Sequence, residues 1–380
     1  MCIVFHSPSG KFIWNAHCFN SFLKFRSCPT MKGDYDTNLS LATGGFDHVI
    51  RMWQPSTGKY LTGFQHNESQ VNTLAFSRDG HYLAAGGYGR VRVYDTLGSA
   101  IPAVVVSEFS KNVNTLGFND EGNWMFAGSE DRVAKIIDWR AGGNLWITRV
   151  YQASKIDVVL IFALVVSSLL MDNNTTSSIN SMLLHRNQHE IVMSTSKGEI
   201  IIWDLRNNAG NTICPDPDSG SIHSLSINPD VTSLAAVNSG GQLLVWSLTG
   251  DSIWRPVEKV RLRKPYHMFT IQHRCKVHPT YALKVQYSPD STLLATCGAD
   301  GKYNLLKTAD FSVVTSQKVT ASGLYWVWDC AFSADSRFLV TATSDGVARL
   351  WNLETGEMPV EYKGHQRAIT CMAFRDRSLG

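Results

Sequence analysis

The sequence predicts an all-β fold: a seven-bladed β-propeller closed by its C-terminal strand joining the first blade. Three observations carry that prediction. One short pattern recurs seven times at a nearly constant spacing. The stretches between copies alternate apolar and polar residues and end in turn residues. The composition is that of a turn-rich β protein, with 29 Gly, 11% aromatic residues and 44% hydrophobic residues in 380. Disorder is excluded, because the net charge is only +3 against that apolar fraction.

The recurring pattern is a small-residue stretch, a tight turn, an alternating strand and a terminal aromatic. Its clearest copies are ATGGFDHVIRMW (42–53), STSKGEIIIWD (194–204) and TATSDGVARLW (341–351). Weaker copies are AAGGYGRVRVYD (84–95), AGSEDRVAKIID (127–138), AAVNSGGQLLVW (235–246) and ATCGADGKYNLL (295–306). Their terminal positions are Trp53, Tyr94, Ile137, Trp203, Trp246, Leu306 and Trp351, and four of the six gaps lie between 41 and 45 residues. A second element precedes most copies, as in VNTLAFSRDGHYLA (71–84), LKVQYSPDSTLLAT (283–296) and DCAFSADSRFLVT (329–341). Each is a strand, an Asp- or Asn-containing turn and another strand. With one more short strand after the aromatic, every unit holds four strands, the period of a propeller blade.

Turn chemistry refines this reading. Six residues before the terminal position stand Asp47, Asp131, Asp300 and Asp345, and four residues further back stand Thr43, Thr296 and Thr341. The pattern resembles that of WD repeats, in which a turn Asp, a Ser/Thr, a preceding His and the Trp form a hydrogen-bonded tetrad. That resemblance assigns structural roles to His365, Thr43, Asp47 and Trp53, to His278, Thr296 and Asp300, and to Thr341, Asp345 and Trp351. The first unit has no preceding strand and no His. Both lie at the other end of the chain, in GHQRAITCMAF (364–374), so strand 368–374 is expected to be innermost in blade 1.

Residues 1–38 read as an N-terminal extension expected to be disordered, and 39–380 as the propeller, with insertions at about 157–178 and 261–276. The apolar run from Val158 to Met171 is too short for a membrane helix. It reads as a long loop, as an adhesive patch, or as a segment foreign to the working protein, the last being preferred. The same holds for 1–30, with Met31 as an alternative start, and for 264–275. No direct membrane insertion is expected.

Chemistry-bearing motifs are scarce. GxGxxG, GxxxxGK[ST] and GxSxG do not occur, and His189-Glu190 begins an HExxH that Met193 breaks. The eight cysteines form no CxxC, and Cys275 with His278 lacks a second ligand pair. No enzyme activity, metal or cofactor is expected, and scattered thiols fit the cytoplasm. Nearly balanced charge, 35 basic against 32 acidic residues, gives no argument for nucleic acid. Lys259, Arg261, Arg263 and Lys264 alternate as a strand with a solvated basic face. Trp203-Asp204-Leu205-Arg206 fits the WDxR box of receptors on cullin ubiquitin ligases, and equally the end of an ordinary blade. Trp326 and Trp328 flank Val327 at the start of an innermost strand.

The chain as a whole resembles the G-beta-like WD-repeat subunit of target-of-rapamycin (TOR) kinase complexes, of the "lethal with Sec thirteen" type. LATGGFDHVIRMWQPSTG (41–58), NTLGFNDEGNWMFAGSEDRVAKI (114–136), YALKVQYSPDSTLLATCGAD (281–300) and VWDCAFSADSRFLVTATSDGVARLWNLETGE (327–357) carry the likeness, together with 364–374. It covers about 39–156, 179–260 and 277–380, and departs at Ile137 and Leu306, where Trp is usual. The resemblance implies a non-catalytic scaffold that binds and stabilises the TOR kinase domain alongside raptor-type or rictor-type subunits. By position in the repeat, Gln70, Asn72, Asn112, Tyr281, Trp326 and Trp328 are expected to line the partner-binding face. The alternative is a substrate receptor of a cullin ubiquitin ligase. A G-protein β role fits less well, since no heptad-bearing helix precedes the first blade.

Overall fold

A computed structural model describes residues 39–98, 101–140, 147–152, 177–206, 208–213, 220–248, 271–321 and 323–376. The expected disorder of 1–38, the Val158–Met171 run and the basic run at 259–264 lie outside the described residues. Among the described residues there are 28 strands in seven four-stranded antiparallel sheets, and no helix.

Each sheet is one blade. Its innermost strand pairs with the second, the second with the third and the third with the outermost. The innermost strands of blades 2 to 7 are Thr73–Phe76, Val113–Phe118, Ile179–Leu184, Ile222–Ile227, Ala282–Tyr287 and Val327–Phe332. Blade 1 takes its innermost strand from the C-terminus: Ile369–Asp376 runs antiparallel to Leu39–Gly45, with Leu41 opposite Phe374. Neighbouring innermost strands touch all the way round, blade 7 meeting Ile369–Asp376 and that strand meeting blade 2. The ring is closed as the sequence predicts, and each four-stranded blade keeps only a short inner and outer edge.

The core is divided among the seven seams between adjacent blades. The seam between blades 7 and 1 joins Val340, Ala342 and Leu350 to Leu41, Trp53 and Ile369. Second strands are buried on both faces, as in Glu190–Thr195, so they read as runs of small and branched residues without alternation. Where inner strands come closest the sequence uses glycine. A Cβ on Gly44 would lie 2.7 Å from Val71 Cγ1, and one on Gly128 would lie 2.8 Å from Ile179 Cγ2.

The turns between second and third strands share one geometry. His48, Gly89, Arg132, Gly198, Gly241, Gly301 and Gly346 all have positive φ, between 61° and 81°. Five are Gly, which adopts this region without strain. The two that are not follow Asp47 and Asp131, whose carboxylates accept the next amides, Val49 N at 3.3 Å and Val133 N at 3.2 Å.

One boundary needs correction. Residues 271–276 were assigned to an insertion, but Ile271–Lys276 is the outermost strand of blade 5, paired with Gln242–Ser247. It pairs on one edge only, and its exposure alternates. The IQHRCK sequence therefore lacks the clean apolar alternation that betrays an inner strand.

Candidate functional site

The tetrad residues lie at the end of the ring that carries the turns between second and third strands and the connections between blades. That end is called the mouth below. Blade 1 holds all four groups together. Trp53 Nε1 donates to Thr43 Oγ1 at 2.8 Å, and Thr43 Oγ1 lies 2.7 Å from His365 Nε2. His365 Nδ1 reaches the Asp47 carboxylate at 2.9 Å, and Arg51 donates to it at 2.5 Å. Burial works to raise the Asp47 carboxyl, but His365 and Arg51 outweigh it and hold it well below the usual range. Burial also lowers the pKa of His365 against the pull of Asp47.

Blade 6 keeps three of the four groups. His278 joins Thr296 through Nε2 and Asp300 through Nδ1, both at 3.0 Å, while Leu306 fills the indole position, fully buried. Blade 7 keeps Thr341, Asp345 and Trp351 without a His. Trp351 Nε1 donates to Thr341 Oγ1 at 2.9 Å, but no His links that pair to Asp345. Asp345 instead accepts Arg349 at 2.6 Å and the Val347 amide at 3.0 Å. The connection into blade 7 has no His, and the Arg349–Asp345 pair repeats the Arg51–Asp47 pair of blade 1.

His66 was not singled out from sequence. It stands 18 residues before Ala84, as His278 stands before Thr296. Ala84 brings no hydroxyl and Tyr88 no carboxylate. His66 keeps Tyr94 OH at 3.2 Å, and its buried Nε2 has no hydrogen-bond partner. Burial, with Arg92 and His48 nearby, pushes its pKa down to about 3.

The mouth has a second layer. Just inside the start of six innermost strands the register slips by one residue. The extra residues are Thr370, Asn114, Asn180, His223, Leu283 and Trp328, in blades 1, 3, 4, 5, 6 and 7; Asn72 leads into blade 2. On one half of the ring these side chains clasp the next blade. Thr370 donates to Val71 O at 2.6 Å, Asn114 to Ile179 O at 2.9 Å and Asn180 to Ile222 O at 2.8 Å.

On blades 5 to 7 the corresponding residues are aromatic or aliphatic and make no such clasp. His223 stacks on Tyr281 at 6.2 Å, Tyr281 meets Trp326 edge-on at 6.3 Å, and Trp326 lies 5.2 Å from Trp328. Tyr281 is 48% exposed and Trp326 37%, with Leu324 and Tyr325 beside them also exposed. Contiguous exposed aromatics of this kind mark interaction surfaces.

The six sequence-predicted partner residues therefore fall into two groups. Tyr281, Trp326 and Trp328 join one ring-to-ring series. Gln70, Asn72 and Asn112 lie on blades 2 and 3, separated from it by blades 1 and 4. Asn112 is engaged by Glu130 at 3.2 Å. Sequence reasoning missed His223. Aligning the blades on the Asp of their first turn (Asp230 and Asp335) places His223 at the position of Trp328, so the signal was present.

Beneath this layer the blades are joined again. Thr115, Ser181 and Ser224 accept backbone amides of the next blade: Met182 N at 3.0 Å, Leu225 N at 3.3 Å and Val285 N at 3.3 Å. Blade 6 has Lys284 at this position, which cannot accept. Asp329 of blade 7 compensates. It binds Lys284 Nζ at 2.9 Å, caps its neighbour Cys330 N at 2.9 Å and accepts Met372 N of the closing strand at 2.9 Å. Desolvation works against the Lys284 ammonium, but Asp329 more than offsets it and raises its pKa.

At the other end of blade 4, Trp203 and Asp204 are fully buried. Arg206 folds back on Asp204, its Nε 3.2 Å from Oδ1. Among the described residues no cluster of three or more His, Cys, Asp or Glu is placed to hold a metal ion, and no helix is long and apolar enough to cross a membrane.

Comparison with known proteins agrees with this architecture. The WD domain, G-beta repeat family matches residues 58–95, 104–138, 269–305 and 316–352. The chain is 39% identical over 350 residues to the mouse protein named target of rapamycin complex subunit LST8, covering 90% of this chain and 96% of the mouse one. It is 37% identical over 344 residues to the Drosophila melanogaster LST8 homolog, covering 90% and 98%. It is 33% identical over 344 residues to the Schizosaccharomyces pombe target of rapamycin complex subunit wat1, covering 89% and 96%.

Proposed function

Because the chain belongs to the LST8 family of WD-repeat proteins, we propose that it is a subunit of TOR kinase complexes. It serves there as a non-catalytic scaffold that binds and stabilises the kinase domain in the cytoplasm. It acts with raptor-type or rictor-type subunits in nutrient and growth signalling. The observation that carries this reading is the exposed aromatic series across blades 5 to 7, presented by a closed ring. A rigid ring holds loops from separate repeats at fixed distances, which lowers the ordering cost of docking a partner.

Tagged full-length protein, isolated from cytosol with its co-purifying chains identified by mass spectrometry, tests the assignment. A TOR kinase is expected among them. Replacing Tyr281 and Trp326 by Ala removes two interface anchors, each worth about 2 kcal/mol or more if it is a hot spot. Kinase recovery should then collapse while the melting temperature stays within a few degrees of the parent. Full recovery with both rings removed would refute docking through this surface.

A further inference from the structure

The charges around the aromatic series are unbalanced. At the mouth end of blades 5 to 7 the carboxylates are already engaged: Asp300 by His278, Asp329 by Lys284, Asp345 by Arg349, and Glu361 by Arg349 and Lys363. The cations Lys276, Lys302, Lys318 and Arg367 are exposed and make no ion pair among the described residues. Lys302 and Lys318 are direct cross-strand partners in blade 6. Like charges in that relation destabilise a sheet; Asp300, whose carboxyl is lowered in part by Lys302, is itself held by His278. Across the ring, on blades 2 and 3, Arg90 and Arg92 face Glu68, and Lys135 faces Glu108.

These cations belong to the same end as the rings. Lys302 follows Gly301, whose α-carbon packs so closely on the Tyr325 carbonyl that a Cβ would lie 2.9 Å from its oxygen. Val319, next to Lys318, donates its amide to Gly301 O at 3.0 Å. Lys276 leads into the connection that carries His278 and Tyr281. Arg367 lies in the connection from blade 7 to blade 1, where its carbonyl approaches Gly346.

We propose that blades 5 to 7 recognise an acidic segment of the docking protein, one that sets an aromatic or branched aliphatic side chain on the Tyr281–Trp326 rings and carboxylates against Lys302, Lys318 and their flanking cations. The proposal rests on the docking reading above and names the chemistry of the partner's contact. Its physical basis is complementarity. The aromatic series supplies apolar contact area, and the uncompensated lysines supply a field that draws acidic surfaces in and turns basic ones away.

The test measures association and dissociation rates of the full-length protein with a purified TOR kinase, at low and at high salt. Charges at an interface rim act mainly on the association rate and its salt dependence. The double substitution Lys302→Glu, Lys318→Glu is expected to slow association by about tenfold at low salt, flatten the salt dependence and leave dissociation nearly unchanged. Lys302→Gln, Lys318→Gln should fall between that variant and the parent. Both lysines are exposed and the Glu pair keeps the like-charge relation, so its melting temperature should stay within a few degrees of the parent. If the Glu pair associates at the parental rate while Tyr281→Ala, Trp326→Ala loses the kinase, the acidic-segment inference is overturned and the docking reading stands. If neither pair changes kinase binding, both are overturned.

Discussion

The two halves of the mouth solve one geometric problem with different chemistry. Six of the seven innermost strands begin with a bulge that sets one side chain at the mouth. On blades 1, 3 and 4 that side chain is Thr370, Asn114 or Asn180, and it ties itself to a carbonyl of the next blade. On blades 5, 6 and 7 it is His223, Leu283 or Trp328. The first and last of these belong to the series completed by Tyr281 and Trp326. A clasped position spends its polar group on holding the ring. An aromatic position leaves apolar surface facing outward, where a partner can cover it. The repeated fold is thus kept on one side by internal hydrogen bonds, and on the other it is free to present a binding surface.

The largest break in this comparison comes from the seam that both halves share. Ending the chain at Gly364 removes His365 and the strand Ile369–Asp376, and with them the inner strand of blade 1. The cooperative unfolding transition expected of the closed ring in circular dichroism should disappear, and neither half of the mouth should survive. Next in size is Thr43→Val, which leaves Trp53 Nε1 and His365 Nε2 buried without partners. The expected loss is about 3 kcal/mol in a denaturant titration, from two unsatisfied buried groups.

A finer test separates the halves directly. Asn180→Ala removes two hydrogen bonds, to Ile222 O and Ser221 Oγ, and should cost about 1 kcal/mol of stability without weakening kinase recovery. Trp326→Ala should do the opposite. A loss of kinase recovery in Asn180→Ala equal to that in Trp326→Ala would erase the distinction between the halves.

A separate test is a pH dependence. Burial holds the folded pKa of His66 down to about 3, below the 6.5 of an ordinary imidazole. As pH falls below about 6.5 the unfolded chain takes up a proton that the folded chain refuses until pH 3. Stability should therefore fall across that window, by at most about 1.4 kcal/mol per pH unit from this residue. Asp47, Asp300 and Asp345 are shifted downward too. Their stabilising contribution is present above about pH 5 and is lost as pH falls further, so the pH 5–6.5 window is left to histidine. His66→Gln should flatten the slope of melting temperature against pH between 6.5 and 5. An unchanged slope would assign it to other groups, His365 and His223 among them.

Much of the fold was legible because its causes are local. The alternation of the inner strands, the Asp-containing turns and the small-residue second strands each follow from neighbours a few residues apart. Even the closure could be read, since a first unit lacking its His and inner strand needs His365 and the strand after it. The outermost strand of blade 5 could not, because a strand paired on one edge shows little apolar alternation. Whether a turn Asp meets a His depends on the connection from the previous blade; the Arg–Asp pair four residues apart recurs in blades 1 and 7 with and without that His.

By itself the sequence determined the number of blades, the turn chemistry and the strand that closes the ring. These depend on periodicity and on backbone preferences that act within one repeat. Only the tertiary structure decided that His223, Tyr281, Trp326 and Trp328 form a single series, that Asp329 holds Lys284 and the closing strand at once, and that Lys302 and Lys318 face each other across blade 6. Those contacts join residues from neighbouring strands and separate repeats. Such residues are brought together by the stagger of the innermost strands and by ring closure, which no single repeat encodes.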